Sequence, residues 1–169
     1  MEHHCGDAKP FRNILGVTLG TGVGAGIIIN NELYCGRNAG AGEIGCLPYL
    51  ESTLEFYCGS AFFVECYHTT GIKAMELAKS GDANILRIWE EFGKHIGVLV
   101  KVILYAYDPD TIIFGGSITK AFSYFEEAMR KEMNTFDYPE TIKNVQILIS
   151  TRDDISILGA ASLCQSQHI

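Results

Sequence analysis

The chain has 169 residues, 47% of them hydrophobic and 20% charged, and a formal net charge of -7. That length and apolar fraction suit one compact domain with its own core and exclude a disordered chain. The acidic balance, with no run of Lys or Arg, excludes a nucleic-acid-binding surface of the usual basic kind.

In chain order, Asn13 to Leu19 predicts a strand, followed by a glycine-rich turn from Gly20 to Gly26. Ile27, Ile28 and Ile29 are β-branched and predict a second strand rather than a helix start. Asn30-Asn31 tolerates positive φ and suits a tight hairpin, with Glu32 to Tyr34 returning as a third strand. Arg37 to Gly45 reads as a loop. Ser52 and Glu55 have the spacing of a capping box and predict a helix, broken at Cys58-Gly59-Ser60 and resumed to about Tyr67. Ile72 to Lys79 reads as a helix closed by Ser80-Gly81. Asp82 caps a long helix to about Tyr107, in which Ile85, Trp89, Phe92, Ile96, Leu99 and Ile103 recur at steps of three and four. Pro109 stops it, and Thr111 to Phe114 predicts a strand. Gly115-Gly116-Ser117 then turns the chain into a helix with Ile118, Phe122, Phe125 and Met129 on one face. Val145 to Ile149 predicts a strand, and Ile157 to Leu163 a last short helix with Asp154 and Ser156 as caps. Strands first, then helices alternating with strands, give an α/β domain with a mixed sheet.

Six cysteines are present and none forms a C-x-x-C pair. They predict reduced, mostly buried thiols in a cytoplasmic protein. No basic-then-apolar leader opens the chain. The longest apolar stretch, Ile96 to Tyr107, contains Lys101 and is too short to span a bilayer, so no membrane partner is expected.

The turn Gly20-Thr21-Gly22-Val23-Gly24 carries chemistry only in some readings. A dinucleotide-binding turn must run directly into a helix, and this one runs into a strand. A Walker loop needs a following Gly-Lys-Ser/Thr, which is missing. What stands open is a hairpin whose glycines let backbone N–H groups and the Thr21 hydroxyl converge on a phosphate, or a plain hairpin. Gly115-Gly116-Ser117, between a strand and a helix, is equally open: a ligand-binding turn at a strand's carboxyl end, or a close-packed turn with Ser117 as helix cap.

Taken in order, four segments resemble the ROK family of sugar kinases and repressors. They are Leu19 to Ile28, Gly36 to Gly45, Asp108 to Ser117, and Leu158 to Ala161. The resemblance implies the second lobe of an actin-like (ribonuclease H-like) ATPase, covering residues 1–169 as one domain. It implies ATP with Mg as cofactor and a hexose as substrate, in a glucokinase-like kinase. Gly20, Thr21, Gly22 and Gly24 then look like a phosphate hairpin, and Gly115, Gly116 and Ser117 like the adenosine-side turn. Glu43 and Glu55 resemble the glutamates that accept hydrogen bonds from sugar hydroxyls, a task that suits a two-oxygen acceptor. For Glu55 the capping box stays an alternative role.

Two departures qualify the resemblance. Many members carry a zinc held by one His and three Cys; here Cys46 stands at the His position and Leu47 to Thr53 contains no cysteine, so no zinc is expected. The first lobe, with its Asp-Gly-Gly-Thr-like loop and general-base Asp, is not recognisable in the sequence, so no residue is assigned a catalytic role. Asp108 and Asp110 flank a helix stop, and Asp153 and Asp154 sit at a helix start, so none of them is read as a replacement base. A kinase needs a base and a closed cleft, so the chain by itself is expected to be inactive. It is then a half-enzyme pairing with a separate first lobe, or a sugar-binding or assembly module. Without the first lobe the apolar helix Ile157 to Leu163 lacks a partner, and a homodimer through it or through Ala83 to Tyr107 is expected. The family's repressor branch is disfavoured, because residues 1–12 hold no helix-turn-helix.

Overall fold

The computed structural model describes residues 10–150. Three strands open it: β1 (Ile14–Leu19), β2 (Val23–Ile29) and β3 (Glu32–Tyr34). Asn30 and Asn31, at φ 53° and 70°, make the predicted turn between β2 and β3. A loop follows with a 3-10 turn at Ile44–Cys46 and a two-stranded ribbon, β4 (Pro48–Tyr49) and β5 (Ser52–Thr53). Then come α1 (Leu54–Cys58), a wide π-type turn at Phe62–Cys66, α2 (Gly71–Lys79) and α3 (Ala83–Tyr107). β6 (Thr111–Gly115) leads through a 3-10 turn, Ser117–Ala121, into α4 (Phe122–Met133). The described part ends with α5 (Pro139–Asn144) and β7 (Gln146–Ile149).

The five main strands lie in the order β3-β2-β1-β6-β7. β1 is antiparallel to β2 and parallel to β6, and β6 is parallel to β7, so the sheet is mixed as expected. A parallel neighbour cannot be reached through a hairpin, and the segment α1 to α3 is the crossover that returns the chain. Leu15, Val17, Leu19, Ile112 and Phe114 point to the face that carries this helical layer. Ile14 and Ile113 point to the other face, packed with Phe11, Ile28 and Leu148.

The periodic residues of α3 are the centre of the core. Trp89, Phe92, Ile96, Leu99 and Ile103 are fully buried. Asp82 caps the helix as predicted, its Oδ1 accepting from the Asn84 and Ile85 N–H groups at 2.9 and 3.2 Å. The helix ends at Tyr107 with Asp108 left-handed at φ 42°, just before Pro109. Gly93 and Gly97 let α4 come close: a Cβ on Gly93 would stand 2.4 Å from the Phe125 carbonyl oxygen.

Several sequence expectations shift. The cap of α1 is Thr53, whose hydroxyl accepts from the Phe56 N–H, so Ser52 and Glu55 do not form the expected capping box. Ser117 is not a cap either; it begins the 3-10 turn, and α4 starts only at Phe122. The ribbon β4–β5 and the short α5 are not foreseen from sequence, because two-residue strands and a six-residue helix are too short to show a period. Cys58 is buried, but Cys35, Cys46 and Cys66 are exposed, against the expectation of mostly buried thiols. The predicted last helix, Ile157 to Leu163, lies outside the described residues, as do Asp153 and Asp154.

Candidate functional site

β1 and β6 run side by side in the same direction, so their carboxyl ends meet at one edge of the sheet. This brings the two predicted glycine turns together. The tip of the β1–β2 hairpin is closed by the Gly20 N–H donating to the Gly22 carbonyl at 3.1 Å. Gly116 has φ 95°, and a Cβ there would lie 2.4 Å from the Leu19 carbonyl oxygen. Only glycine allows the Gly115-Gly116 turn to close against the end of β1. Ser117 follows in its 3-10 turn, where the Thr119 hydroxyl donates to the Gly116 carbonyl at 2.7 Å. Around Gly20 and Gly24 no heavy atom lies within 4 Å of where a Cβ would stand, so that face of the backbone is uncovered.

Glu55 lies in the first turn of α1, and its Oε2 stands 2.6 Å from the point a Cβ on Gly22 would occupy. The carboxylate therefore packs directly on the hairpin tip. It borders a hollow of about 440 Å³ shared with Thr21, Gly22, Thr53 and Phe56. Glu43 borders a neighbouring hollow of about 510 Å³ with Tyr34, Arg37, Asn38 and Tyr107. Gly45, two residues after Glu43, packs against Glu55: a Cβ there would meet the Val23 carbonyl oxygen at 2.6 Å and the Glu55 Cβ at 3.2 Å. The glutamates thus flank one tight junction and open onto adjacent hollows.

The end of α1 is tied to the hairpin by a contact the sequence did not disclose. The Ser60 N–H donates to the Gly20 carbonyl at 2.9 Å, and its hydroxyl to the Thr21 carbonyl at 3.3 Å. Gly59 makes this possible, since a Cβ would stand 2.7 Å from the Glu55 carbonyl oxygen and 2.9 Å from that of Thr21.

A second unpredicted feature lies beneath α1. The buried His95 of α3 has its Nδ1 3.0 Å from the Tyr49 hydroxyl, and its carbonyl accepts from the Cys58 thiol at 3.4 Å. Tyr49, Tyr57 and Phe62 pack around its ring with centroids 5.7, 5.0 and 5.4 Å away. Burial holds the His95 imidazole below its ordinary range. Burial, with the nearby Cys58, Glu132 and Tyr57, pushes the Tyr49 phenol up to about 12. Burial also raises the Cys58 thiol. All three groups stay uncharged at neutral pH. His95 sits on the apolar face that the helical period marks, and its type was the available signal.

The remaining carboxylates have structural duties. The Asp110 Oδ2 accepts from the Arg12 and Asn13 N–H groups at 3.1 and 2.8 Å, at the opposite end of β6 from the glycine turns. Asp108 is the left-handed cap of α3. Among the described residues no three His, Cys, Asp or Glu side chains gather as a metal site, and the Cys46 thiol donates to the Glu43 carboxylate at 4.0 Å.

Relatives fall on both sides of a functional divide. The chain is 27% identical to the xylose repressor of Bacillus spizizenii over 86% of its own length and 42% of that protein. It is 25% identical to the glucokinase of Halalkalibacterium halodurans over 93% of its length and 57% of that protein. Its fold matches the ROK family glucokinase of Streptomyces griseus, solved with glucose and AMPPNP, with a TM-score of 0.81 and 22% identity over 96% of this chain and 63% of that one. The actin-like fold is therefore the one expected, and the chain spans about half the length of the curated relatives it matches. With the ROK family model matched over residues 1–167, this chain belongs to the ROK family.

Proposed function

We propose that this stretch is the nucleotide- and sugar-binding lobe of a glucokinase-like hexose kinase. The observation that carries the reading is the Glu55 carboxylate packed on the Gly22 hairpin tip, beside the Gly115-Gly116 turn. Phosphoryl transfer needs a phosphate and an acceptor hydroxyl in contact, and a hydroxyl-binding carboxylate next to a phosphate-binding turn sets that distance. In this reading Gly20, Thr21, Gly22 and Gly24 face the phosphates, Gly115, Gly116 and Ser117 the adenosine side, and Glu43 and Glu55 the sugar hydroxyls. ATP would bring Mg on its phosphates, and the open backbone at Gly20 and Gly24 leaves room for an anion. No zinc enters the proposal.

This reading assigns no general base: Asp108 and Asp110 are engaged elsewhere, and Glu43 and Glu55 are given to the sugar hydroxyls. These 169 residues by themselves are therefore proposed to be inactive, working in the cytoplasm with a first lobe supplied from outside them or as a homodimer. Among the described residues no helix is long and apolar enough to cross a membrane. The apolar face of α3 is buried within the chain, which leaves only Leu86 and Tyr105 of that helix as large exposed apolar contacts for a second copy.

The repressor relatives favour a second reading, a sugar-sensing module without phosphoryl transfer. A coupled ADP-release assay with ATP-Mg and a hexose panel, run beside calorimetric sugar titration, separates the two. Sugar binding without turnover is the expected result for the chain alone. Turnover would reveal an active enzyme with an unassigned base. No sugar binding to the chain, with or without nucleotide, would remove the sugar-site reading.

A further inference from the structure

We propose that His95 and Tyr49 are positioning residues for the candidate site, a clasp that fixes α1 so that Glu55 rests on the hairpin tip. The inference deepens the sugar-site reading and rests on it for the role of Glu55. The mechanical part stands on geometry alone.

Three segments around Glu55, the ribbon before it, its own helix and the turn after it, converge on His95. The ribbon before it reaches His95 through the Tyr49 hydroxyl, at 3.0 Å. The helix that carries it reaches His95 through the Cys58 thiol, at 3.4 Å to the backbone carbonyl, and through the Tyr57 ring. The turn after it reaches His95 through the Phe62 ring. The ribbon has only two residues per strand and α1 only five, so neither is stable by its own hydrogen bonds. Their placement must come from outside, and α3 supplies it with a long buried helix.

The consequence runs outward from the clasp. With α1 held, the Ser60 N–H meets the Gly20 carbonyl and the Glu55 carboxylate meets Gly22. With the ribbon held, the Leu54 N–H donates to the Leu47 carbonyl at 3.0 Å. These two amides report the clasp directly, because neither touches His95 or Tyr49. A purely aliphatic contact at position 95 would bury similar area but leave the Tyr49 hydroxyl without its partner in a half-buried site.

Hydrogen exchange on the full chain at neutral pH, without any ligand, tests the mechanical part. In Tyr49→Phe and in His95→Leu the Ser60 and Leu54 amides are expected to exchange on the order of 10-fold faster, while those of β1 and β6 hold their protection. His95→Gln, which can still bond the Tyr49 hydroxyl, is expected to recover most of the difference. Unchanged Ser60 and Leu54 exchange in Tyr49→Phe, or an equal loss throughout β1 and β6, would overturn the clasp. Calorimetry with D-glucose tests the link to Glu55: weaker binding in Tyr49→Phe than in the parent supports it, and equal binding overturns it. A parent that binds no glucose sinks the sugar-site reading alone, since the exchange result still decides the clasp.

Discussion

The layer formed by α3 and α4 and the segment from Gly36 to Ser60 are held together by different means. In the first, Trp89, Phe92, Phe125 and Met129 are fully buried and stack in a continuous aromatic and aliphatic core. In the second, two-residue strands, a five-residue helix and loop backbone send few side chains into the core, chiefly Ile44, Leu54 and Cys58, and are fixed besides by glycine close approaches and single hydrogen bonds. Apolar area dominates stability, so the first region sets how stable the molecule is. The second sets where the chemistry-bearing side chains stand, at small cost and with small reserve.

The largest expected effect breaks the first region. Trp89→Ala should cost about 3–5 kcal/mol, because a large buried ring leaves a cavity that the neighbouring Phe63, Phe92 and Phe125 cannot refill. Urea unfolding followed by circular dichroism measures it. A loss that size is a large share of the stability of any domain this long.

A matched pair of glycine substitutions sharpens the contrast. Gly93→Ala forces a methyl to within 2.4 Å of the Phe125 carbonyl oxygen, and Gly45→Ala one to within 2.6 Å of the Val23 carbonyl oxygen. Both clashes are with backbone, and each should cost about 1–3 kcal/mol. The readouts should differ. Gly93→Ala parts α3 from α4 and lowers the midpoint of global unfolding. Gly45→Ala should show mainly as faster amide exchange between Gly36 and Ser60, and as weaker sugar binding if the proposed site is right.

The same division explains what could be read from the sequence. The five strands of the main sheet, α3 and its cap at Asp82 were legible because β-branched runs, a long period and a cap residue are local signals. The adjacency of the Gly20 and Gly115 turns followed once β1 and β6 were paired in parallel. The rest depends on contacts between distant residues. Nothing near Ser60 in the chain indicates that its N–H bonds Gly20, or that Tyr49 finds His95. Sequence spacing puts the cap of α1 one residue early, because Ser52 and Thr53 both offer a hydroxyl. The ribbon's pairing moves the helix start to Leu54 and selects Thr53. The aromatic packing of Tyr49, Tyr57 and His95 was not legible either, because it joins the ribbon, α1 and α3 across the chain.

The third expected effect joins the two regions through pH. Burial lowers the pKa of His95 from 6.5, with Glu91 opposing and Lys94 assisting. The unfolded chain therefore binds this proton more readily than the folded one. The contribution of neutral His95 is complete above about pH 6.5 and is lost as pH falls through that value toward the lowered folded pKa. Thermal unfolding between neutral and mildly acidic pH should show this loss, and His95→Gln should remove that part of the slope. An unchanged slope in His95→Gln would assign the pH dependence to other groups.

The smallest effects come from ion pairs, and they too differ by region. Lys101 on α3 reaches Glu132 at 2.5 Å and the Thr135 hydroxyl at 2.9 Å, with the two charged side chains only 19% and 28% exposed. Lys143 and Glu140 on α5 are 67% and 78% exposed. Water screens the second pair, so Lys143→Met should change stability by less than about 0.5 kcal/mol. Lys101→Met leaves Glu132 unpaired in a partly dry groove and should cost about 1–2 kcal/mol. The Glu132 charge also acts on Tyr49 and raises its phenol. Losing Lys101 therefore leaves a less compensated negative charge facing the clasp. Because that charge favours the neutral phenol that bonds His95, the Ser60 amide should keep its protection in Lys101→Met even as global stability falls. Faster Ser60 exchange in that variant would show that the clasp depends on the helical layer's electrostatics as well as on its packing.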